Sequence, residues 1–198
     1  MPTADRNPFP DENTTLEHAV HALRGGQVIA CPTEAVWGLS CDPHNETALT
    51  QLMRMKARDP AKGVIVVAAS IVQLESWLKD LPYALYAPLL TSWPGPVTWL
   101  VPDNGMAPAL VRGDHACVAL RVTDHPGMQA LCKTFGGPLV STSANRAGEP
   151  PAMSAAEVRA AFDTASGDEL GAVLAGELGG HTRPSQIRDL ASGRVLRA

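Results

Sequence analysis

An unbroken apolar run at residues 64–69, with the sequence VIVVAA, constrains the fold of this chain more than any other segment. A run this short without polar interruption is typical of a strand at the centre of a sheet, buried on both of its faces. The chain must therefore supply both a sheet and the helices that cover it.

Helical patterns and further short apolar runs alternate loosely along the rest of the sequence. Helices are predicted over residues 83–93 and after five polar caps: Thr14 with Glu17, Asn45, Ser70 with Gln73, Asp124, and Ser154 with Glu157. Strands are predicted at 28–31, 64–69, 97–101, 117–122, 139–141, 172–175, 186–190 and 195–197, with a loop at 103–114. This order favours an α/β fold, a twisted mixed sheet flanked by helices, over a strictly parallel doubly wound sheet.

The length of 198 residues favours one domain, which we place at residues 14–198 after a loose N-terminal arm at residues 1–13. The N-terminus lacks the charged start and apolar stretch of a signal peptide, and no apolar run is long enough to span a bilayer. We therefore expect a cytoplasmic protein without a membrane segment.

Charge and cysteine content exclude some classes of function. The 16 basic and 20 acidic residues give a net charge of −4, so any polyanion site must be a local cluster rather than the whole surface. The four cysteines form no C-x-x-C pair, which argues against a zinc site and favours buried free thiols. No metal site built from protein side chains is predicted.

Lys56 and Arg58 stand two residues apart at a predicted helix end. On a continuous helix they would point in different directions, but Asp59 and Pro60 follow, so the helix must end there. The chain can then turn both cations toward one phosphate group. The alternative is a solvated basic helix end that interacts favourably with the helix dipole.

Hydroxyl and amide groups end another predicted strand, at Ser141, Thr142, Ser143 and Asn145. They can bind a ligand or simply satisfy the backbone of their own turn. Ser143 is not in a G-x-S-x-G elbow, so the sequence gives little support to a hydrolase nucleophile.

Two charged residues, Glu34 and Arg121, lie at the end of a predicted strand or within one. Glu34 follows Pro32 and Thr33 at the carboxyl end of a strand, where ligands bind in open α/β sheets, and we favour a capping role over that of a base. Arg121 lies in a strand and needs a carboxylate partner, which a structural ion pair or a substrate can equally supply.

Several motifs in this order resemble the YrdC/TsaC family of L-threonylcarbamoyl-AMP synthases. They are P-T-[DE]-x-x-[YFW]-G-L at residues 32–39, K-x-R at Lys56 and Arg58, S-x-N at Ser143 and Asn145, and the runs at 93–98 and 118–126. The resemblance extends over residues 15–197 and implies a YrdC-like fold with a concave, basic cleft. Many relatives carry His-Pro-Leu after K-x-R, where this chain has KGV at residues 62–64.

The resemblance also implies a reaction. L-Threonine and bicarbonate form a carbamate, which attacks the α-phosphate of ATP and releases pyrophosphate. By this resemblance, Lys56, Arg58, Ser143 and Asn145 are catalytic and bind ATP, and Arg197 adds a phosphate contact. Threonine is expected to contact Thr33, Arg121, Ser141 and Ser185, with Arg121 pairing its carboxylate.

The implied cofactors and partners follow from that reaction. ATP is a substrate that brings Mg²⁺ with it, and transferase proteins of the TsaD, TsaB and TsaE type pass the threonylcarbamoyl group to tRNA next to the anticodon. Direct binding of tRNA is expected to be weak. Two other functions remain open: an RNA-binding or ribosome-maturation module, and a carbamoyl-transfer domain like that of hydrogenase-maturation proteins.

Overall fold

The computed structural model describes residues 14–162 and 169–198, so the predicted arm at residues 1–13 lies outside the described residues. The described helices are α1 (Leu16–Arg24), α2 (Glu46–Lys56), α3 (Glu75–Leu78), α4 (Tyr86–Ser92), α5 (Ala109–Arg112), α6 (Pro126–Phe135) and α7 (Ala155–Phe162). The described strands are β1 (Ile29–Pro32), β2 (Trp37–Ser40), β3 (Ile65–Ala68), β4 (Val97–Pro102), β5 (Cys117–Val122), β6 (Leu139–Ser143), β7 (Ala172–Val173), β8 (Gln186–Asp189) and β9 (Val195–Arg197).

These strands form one sheet in the order β7-β1-β2-β6-β3-β5-β4-β8-β9. The pairs β1–β7, β3–β5 and β4–β8 are parallel, and the other neighbouring pairs are antiparallel. The predicted mixed sheet is therefore confirmed. The apolar run forms β3, the fifth strand in this order, and its residues Val66, Val67 and Ala68 are fully buried.

Helices cover both faces of this sheet, as the apolar run requires. On one face, α1 and α6 pack together over Ile29, Val67 and Leu139. On the other face, a larger cluster joins residues of α2, α3, α4 and α7 to alternate residues of the same strands, such as Ala30, Val66 and Val140. Burial on both faces stabilises the central strands, whose side chains alternate between the two cores.

The predicted caps of two helices are confirmed. Asn45 Oδ1 accepts a hydrogen bond from Ala48 N at 3.0 Å at the start of α2. Ser154 Oγ accepts one from Glu157 N at 3.2 Å before α7. Each bond satisfies a backbone donor that has no partner within its helix.

Two predicted caps are wrong by one residue. Thr15, not Thr14, caps α1, because Thr14 is drawn into a parallel bridge with Leu174 and buried. His125, not Asp124, caps α6, with Nδ1 accepting from Met128 N at 3.1 Å. An imidazole nitrogen can replace the usual carboxylate at this position, which the sequence rule does not anticipate.

The capping box predicted at Ser70 is also wrong. Residues Ile71–Leu74 form a 3₁₀ turn before α3, and Ser70 makes no side-chain capping bond. Gln73 instead accepts from Ala69 N at 2.8 Å and donates to Cys132 O at 2.9 Å, which ties this turn to α6.

Two further elements differ from the sequence-based expectation. The segment predicted as a loop at 103–114 contains the short helix α5. The polar segment after Pro32 is a tight turn that returns as β2, with Pro32 paired opposite Trp37. Gly38 lowers the strand propensity of this segment, which explains why β2 escaped prediction.

Candidate active site

A cavity of about 650 Å³ opens on the sheet face that carries α1 and α6. Ile65 packs against the core of these helices and also lines the cavity, and its neighbours across the sheet are Ser141 and Ala119. Because residues paired directly across strands project to the same face, the floor of the cavity continues the face that the two helices cover elsewhere. Its size is that of a pocket for a small-molecule ligand.

Strand alternation explains how sequence positions far apart meet in this cavity. Ser141 and Ser143 are two residues apart on β6 and share a face, and Gly38 lies opposite Ser143 on β2. A Cβ at Gly38 would lie 3.0 Å from Thr33 Cγ2 and 3.2 Å from the carbonyl oxygen of Thr142, so glycine keeps this part of the cavity open.

The lining of the cavity is strongly cationic. Six basic residues contribute to it: Arg58, Lys62, Arg112, Arg121, Arg183 and Arg197. Within the described ranges, Glu34 is the single acidic residue of the lining. Although the net charge of the chain is negative, this local excess of cations attracts an anionic ligand.

Lys56 is buried, with 4% of its surface exposed, which excludes for this residue the alternative of a solvated basic helix end. Its ammonium donates to Ser143 O, to Asn145 O at 2.8 Å and to Asn145 Oδ1 at 3.3 Å. All three donors of the ammonium are thus engaged by uncharged oxygens. Burial, with a smaller contribution from the charge of Arg58, lowers the pKa of Lys56 to about 8.

Ala57, which lies between Lys56 and Arg58, directs the two side chains to different parts of the protein. Ala57 ends α2 in the left-handed conformation, with φ of 48°, and is the only described residue other than glycine with positive φ. Lys56 therefore points to the turn after β6, whereas Arg58 lines the cavity. Arg58 Nε donates to Gly63 O at 3.0 Å, and burial lowers the pKa of its guanidinium.

The turn after β6 is held by side-chain bonds. Ser143 Oγ donates to Asn145 Oδ1 at 2.6 Å, and Asn145 Nδ2 donates to Arg146 O and Glu149 O at 3.1 and 2.7 Å. Both donors and the acceptor of the Asn145 amide are thus engaged within the protein. Ser143 lines the cavity and Asn145 does not.

The four positions expected to contact threonine all line the cavity and are all buried. Thr33 Oγ1 donates to Val36 O at 2.7 Å, and Ser185 Oγ lies 2.9 Å from Thr98 Oγ1. Ser141 Oγ has no hydrogen-bond partner among the described residues.

Arg197 reaches the same cavity from β9. Its guanidinium donates to Ser185 O at 2.7 Å and 3.1 Å and to Ser185 Oγ at 3.3 Å. Burial and then the nearby charge of Arg121 lower the pKa of Arg197. The two guanidinium groups therefore lie close enough to repel each other.

Arg121 pairs with a buried carboxylate of the protein itself. Its Nη2 lies 3.1 Å from Glu34 Oε2, and the side chains of both residues are at least nine-tenths buried. Burial raises the pKa of Glu34, but the Arg121 charge and the Thr123 hydroxyl outweigh burial, so the net shift of that pKa is downward. The structural ion pair considered from the sequence is therefore present.

Sequence reasoning missed several residues of the lining, among them Lys62, Arg112, His181 and Arg183. Lys62 has a detectable signal, since it lies four residues after Arg58 and just before the central strand. His181 and Arg183 have none, because they lie in an irregular segment that backbone bonds dock onto the turn after β1: Gly179 N donates to Thr33 O at 3.0 Å and His181 N to Glu34 O at 2.9 Å.

The described residues contain neither a cluster of metal ligands nor a helix that could span a membrane. No group of three or more His, Cys, Asp or Glu side chains in residues 14–162 and 169–198 is arranged to hold a metal ion. In the same ranges, no helix has the length and apolar character needed to cross a membrane.

The predicted free cysteines are present. Cys31, Cys41 and Cys132 are buried, and burial raises the pKa of the thiol to about 11 at Cys31 and about 12 at the other two. Cys117 is half-buried and lines the cavity.

Comparison with known proteins gives concordant matches in sequence. The Sua5/YciO/YrdC family model, described as "Telomere recombination", matches residues 21–198. A threonylcarbamoyl-AMP synthase of Chromohalobacter salexigens is 60% identical over 182 residues, covering 92% of this chain and 96% of that protein. The protein of the same name from Pseudomonas aeruginosa is 53% identical over 179 residues, covering 90% and 94%.

A solved structure shares the fold. The crystal structure of P. abyssi Sua5 complexed with L-threonine superposes with a TM-score of 0.80 at 28% identity. The match covers 89% of this chain and 51% of that one, so this chain spans about half of the P. abyssi protein.

Proposed function

Because the chain belongs to the Sua5/YciO/YrdC family, we propose that its cationic cavity is the active site of a threonylcarbamoyl-AMP synthase. The substrates are L-threonine, bicarbonate and ATP, and the products are threonylcarbamoyl-AMP and pyrophosphate. The observation that carries this proposal is one cavity with free cationic groups and a buried arginine, in a chain whose relatives bear that enzyme's name.

ATP is bound by the cationic side of the cavity. Arg58 is the phosphate contact for which the geometry gives most support, since among the described residues only its Nε has a protein partner and the two terminal nitrogens remain available. A guanidinium fork matches two phosphate oxygens. Lys62 and Arg197 line the same space and add positive charge. A magnesium ion carried by ATP would further neutralise the phosphate charge.

Lys56, Ser143 and Asn145 contribute to ATP binding as a unit. The Lys56 ammonium and the Asn145 amide fix the turn after β6 and thereby place Ser143 at the cavity wall. Rigid support of this kind sets the position of a contact residue to within fractions of an ångström. In this arrangement Ser143 touches ATP, and the other two residues act through the turn.

Threonine occupies the part of the cavity between β2, β5 and β6. Arg121 pairs with its carboxylate, and the free hydroxyl of Ser141 is available for its side-chain oxygen. Thr33 and Ser185 close the pocket, and their hydroxyl groups are already hydrogen-bonded within the protein. The P. abyssi complex supports a threonine pocket in this fold.

The chemistry needs no nucleophile from the protein. The threonine nitrogen attacks the carbon of bicarbonate, water leaves, and a carbamate forms. A carbamate oxygen attacks the α-phosphorus of ATP, the bond to the bridging oxygen breaks, and pyrophosphate leaves. Negative charge develops on the transferring and leaving oxygens, so fixed cations at Arg58 and Arg197 stabilise the transition state.

The product serves threonylcarbamoylation of tRNA next to the anticodon, through transferase proteins of the TsaD, TsaB and TsaE type. The RNA-binding and ribosome-maturation alternative is not favoured, because the net charge of −4 gives no general affinity for RNA. The carbamoyl-transfer alternative is not favoured either, since the relatives named above are adenylate synthases.

Pyrophosphate release from ATP tests the proposed function. Release is expected to require both L-threonine and bicarbonate, and to stop when either one is withheld from the purified protein. Equal release without threonine would identify a generic nucleotide hydrolase and contradict the proposal.

A further inference from the structure

Among the described residues that line the cavity, Glu34 is the one carboxylate beside six basic side chains. It lies in the turn between β1 and β2, with 4% of its surface exposed. A buried carboxylate is unfavourable unless charge and hydrogen bonds compensate it. Its partners therefore indicate what it does.

The Glu34 carboxylate is engaged at both oxygens, by a hydrogen bond at one and by an ion pair at the other. Oε1 accepts from Thr123 Oγ1 at 2.5 Å, and that hydroxyl in turn accepts from His125 N at 3.1 Å, so its single proton is directed to Glu34. Oε2 faces Arg121. The backbone oxygen of Glu34 accepts from His181 N at 2.9 Å. A carboxylate held this firmly is placed to orient a neighbour rather than to carry a proton.

Arg121 retains its hydrogen-bonding capacity despite this pairing. The contact with Glu34 is an ion pair at 3.1 Å that lacks the alignment of a hydrogen bond, so Glu34 Oε2 and Arg121 Nε are both buried without a hydrogen-bond partner in the described ranges. A guanidinium carries five N–H donors. Here the charge is compensated while the donors stay available for a planar anion in the cavity.

We propose that Glu34 is a positioning residue, which holds the Arg121 guanidinium in the orientation that receives the carboxylate of threonine. The inference rests on the proposed function, in which Arg121 makes that contact. Arg197 is the second reason that Arg121 needs an anchor, since the two cations repel each other across the same cavity. Without the charge of Glu34, Arg121 moves away from Arg197 and loses its alignment.

Glu34→Gln tests this inference, because the amide keeps the size of the side chain and an acceptor for Thr123 but removes the charge. Losing the alignment of the hydrogen bond between Arg121 and the threonine carboxylate weakens threonine binding by about 10- to 150-fold. We expect the KM for threonine to rise by about tenfold or more, while the KM for ATP changes less than about twofold. Equal rises in both KM values would overturn the inference.

A double-mutant cycle with Arg121→Gln separates positioning from general damage. If Glu34 acts through Arg121, then Glu34→Gln has almost no further effect on threonine affinity once Arg121 is replaced. The same loss in both backgrounds would overturn the inference. If thermal unfolding shows that Glu34→Gln does not fold, Glu34→Asp replaces it. We expect the same rise in the KM for threonine in that variant, and an unchanged KM would overturn the inference.

Calorimetric titration of threonine into the same variants distinguishes failure of this inference from failure of the proposed function. A parent protein that binds threonine but forms no adenylate contradicts the proposed reaction, and weaker binding by Glu34→Gln then still supports the positioning role. A parent protein that binds no threonine overturns both.

Discussion

Replacing Lys56 with methionine is the most informative perturbation of this structure, because it removes the ammonium and preserves the length of the apolar stem. Three hydrogen bonds to Ser143 and Asn145 are lost. Hydrogen bonds from a charged donor contribute about 1.5–3 kcal/mol each to stability. Against this, the pKa of about 8 implies that the charged form is disfavoured by about 3 kcal/mol in the folded state.

Three such bonds exceed this cost by roughly 2–6 kcal/mol, so we expect the free energy of unfolding to fall by an amount in that range. For a chain of this size, in which 1 kcal/mol shifts Tm by about 2–4 °C, the expected decrease in Tm is roughly 4–24 °C. Pyrophosphate release is expected to fall about 100-fold, because a small displacement of the Ser143 turn misplaces a substrate contact. Thermal unfolding and the release assay measure both effects.

Lys79→Met is the matched control, since Lys79 is exposed on the segment after α3. It should change stability by no more than about 0.5 kcal/mol. If Lys56→Met matched this control in stability and kept its rate within a factor of about three, Lys56 would not anchor the turn.

The pH dependence provides an independent check on Lys56. As pH rises through about 8, the folded-state ammonium loses a proton and with it one of its three donors, so activity should fall. In the unfolded chain the amine keeps its proton up to its ordinary pKa of about 10.4, and the contribution of Lys56 to the free energy of unfolding therefore rises between these two values. If activity and the contribution of Lys56 to the free energy of unfolding both fell over this pH range, the lowered pKa of Lys56 would be contradicted.

Four further outcomes are expected. Arg58→Ala should lower the rate of pyrophosphate release about 100-fold with little change in Tm, and a rate within about threefold of the parent would remove Arg58 from the site. Ala57→Gly should stabilise the protein by about 1 kcal/mol, measured by denaturant unfolding, because it relieves the left-handed conformation; destabilisation would refute this reasoning. In competition assays serine should be used about 10- to 200-fold less efficiently than threonine, and valine still less, whereas valine outperforming serine would mean that the pocket residues are misassigned. A small thiol reagent should label Cys117 first, and ATP should slow that labelling; preferential labelling of another cysteine would argue against the assigned exposures.

The sequence predicts the framework of the fold well, because short apolar runs and polar caps are local signals. The run at 64–69 is the central strand, and Asn45 caps α2 as expected. The strand β2 was not predicted, since glycine and tryptophan after a polar turn carry no alternating pattern, and it is formed by pairing with β1 and β6. Caps were displaced by one residue where a long-range contact, such as that between Thr14 and Leu174, competes with local capping.

In the candidate site too, local sequence patterns predicted some features, whereas others depend on contacts between distant parts of the chain. The hydroxyl groups that end β6 and the motifs of the family resemblance indicated residues that line the cavity, including Ser141 and Arg121. Spacing alone could not indicate that Ala57 sends Lys56 into the protein and Arg58 into the cavity, because that depends on one backbone dihedral angle. Nor could it pair Glu34 with Arg121, which are 87 positions apart and meet only through the sheet.

Detection of the adenylate itself tests the central claim most directly. The purified protein is incubated with ATP, L-threonine and ¹³C-labelled bicarbonate, and the nucleotide products are identified by mass spectrometry. We expect threonylcarbamoyl-AMP that carries the label in its carbamoyl carbon, and its loss in the Arg58→Ala variant. Formation of only unlabelled AMP or ADP by the parent protein would contradict the proposed reaction.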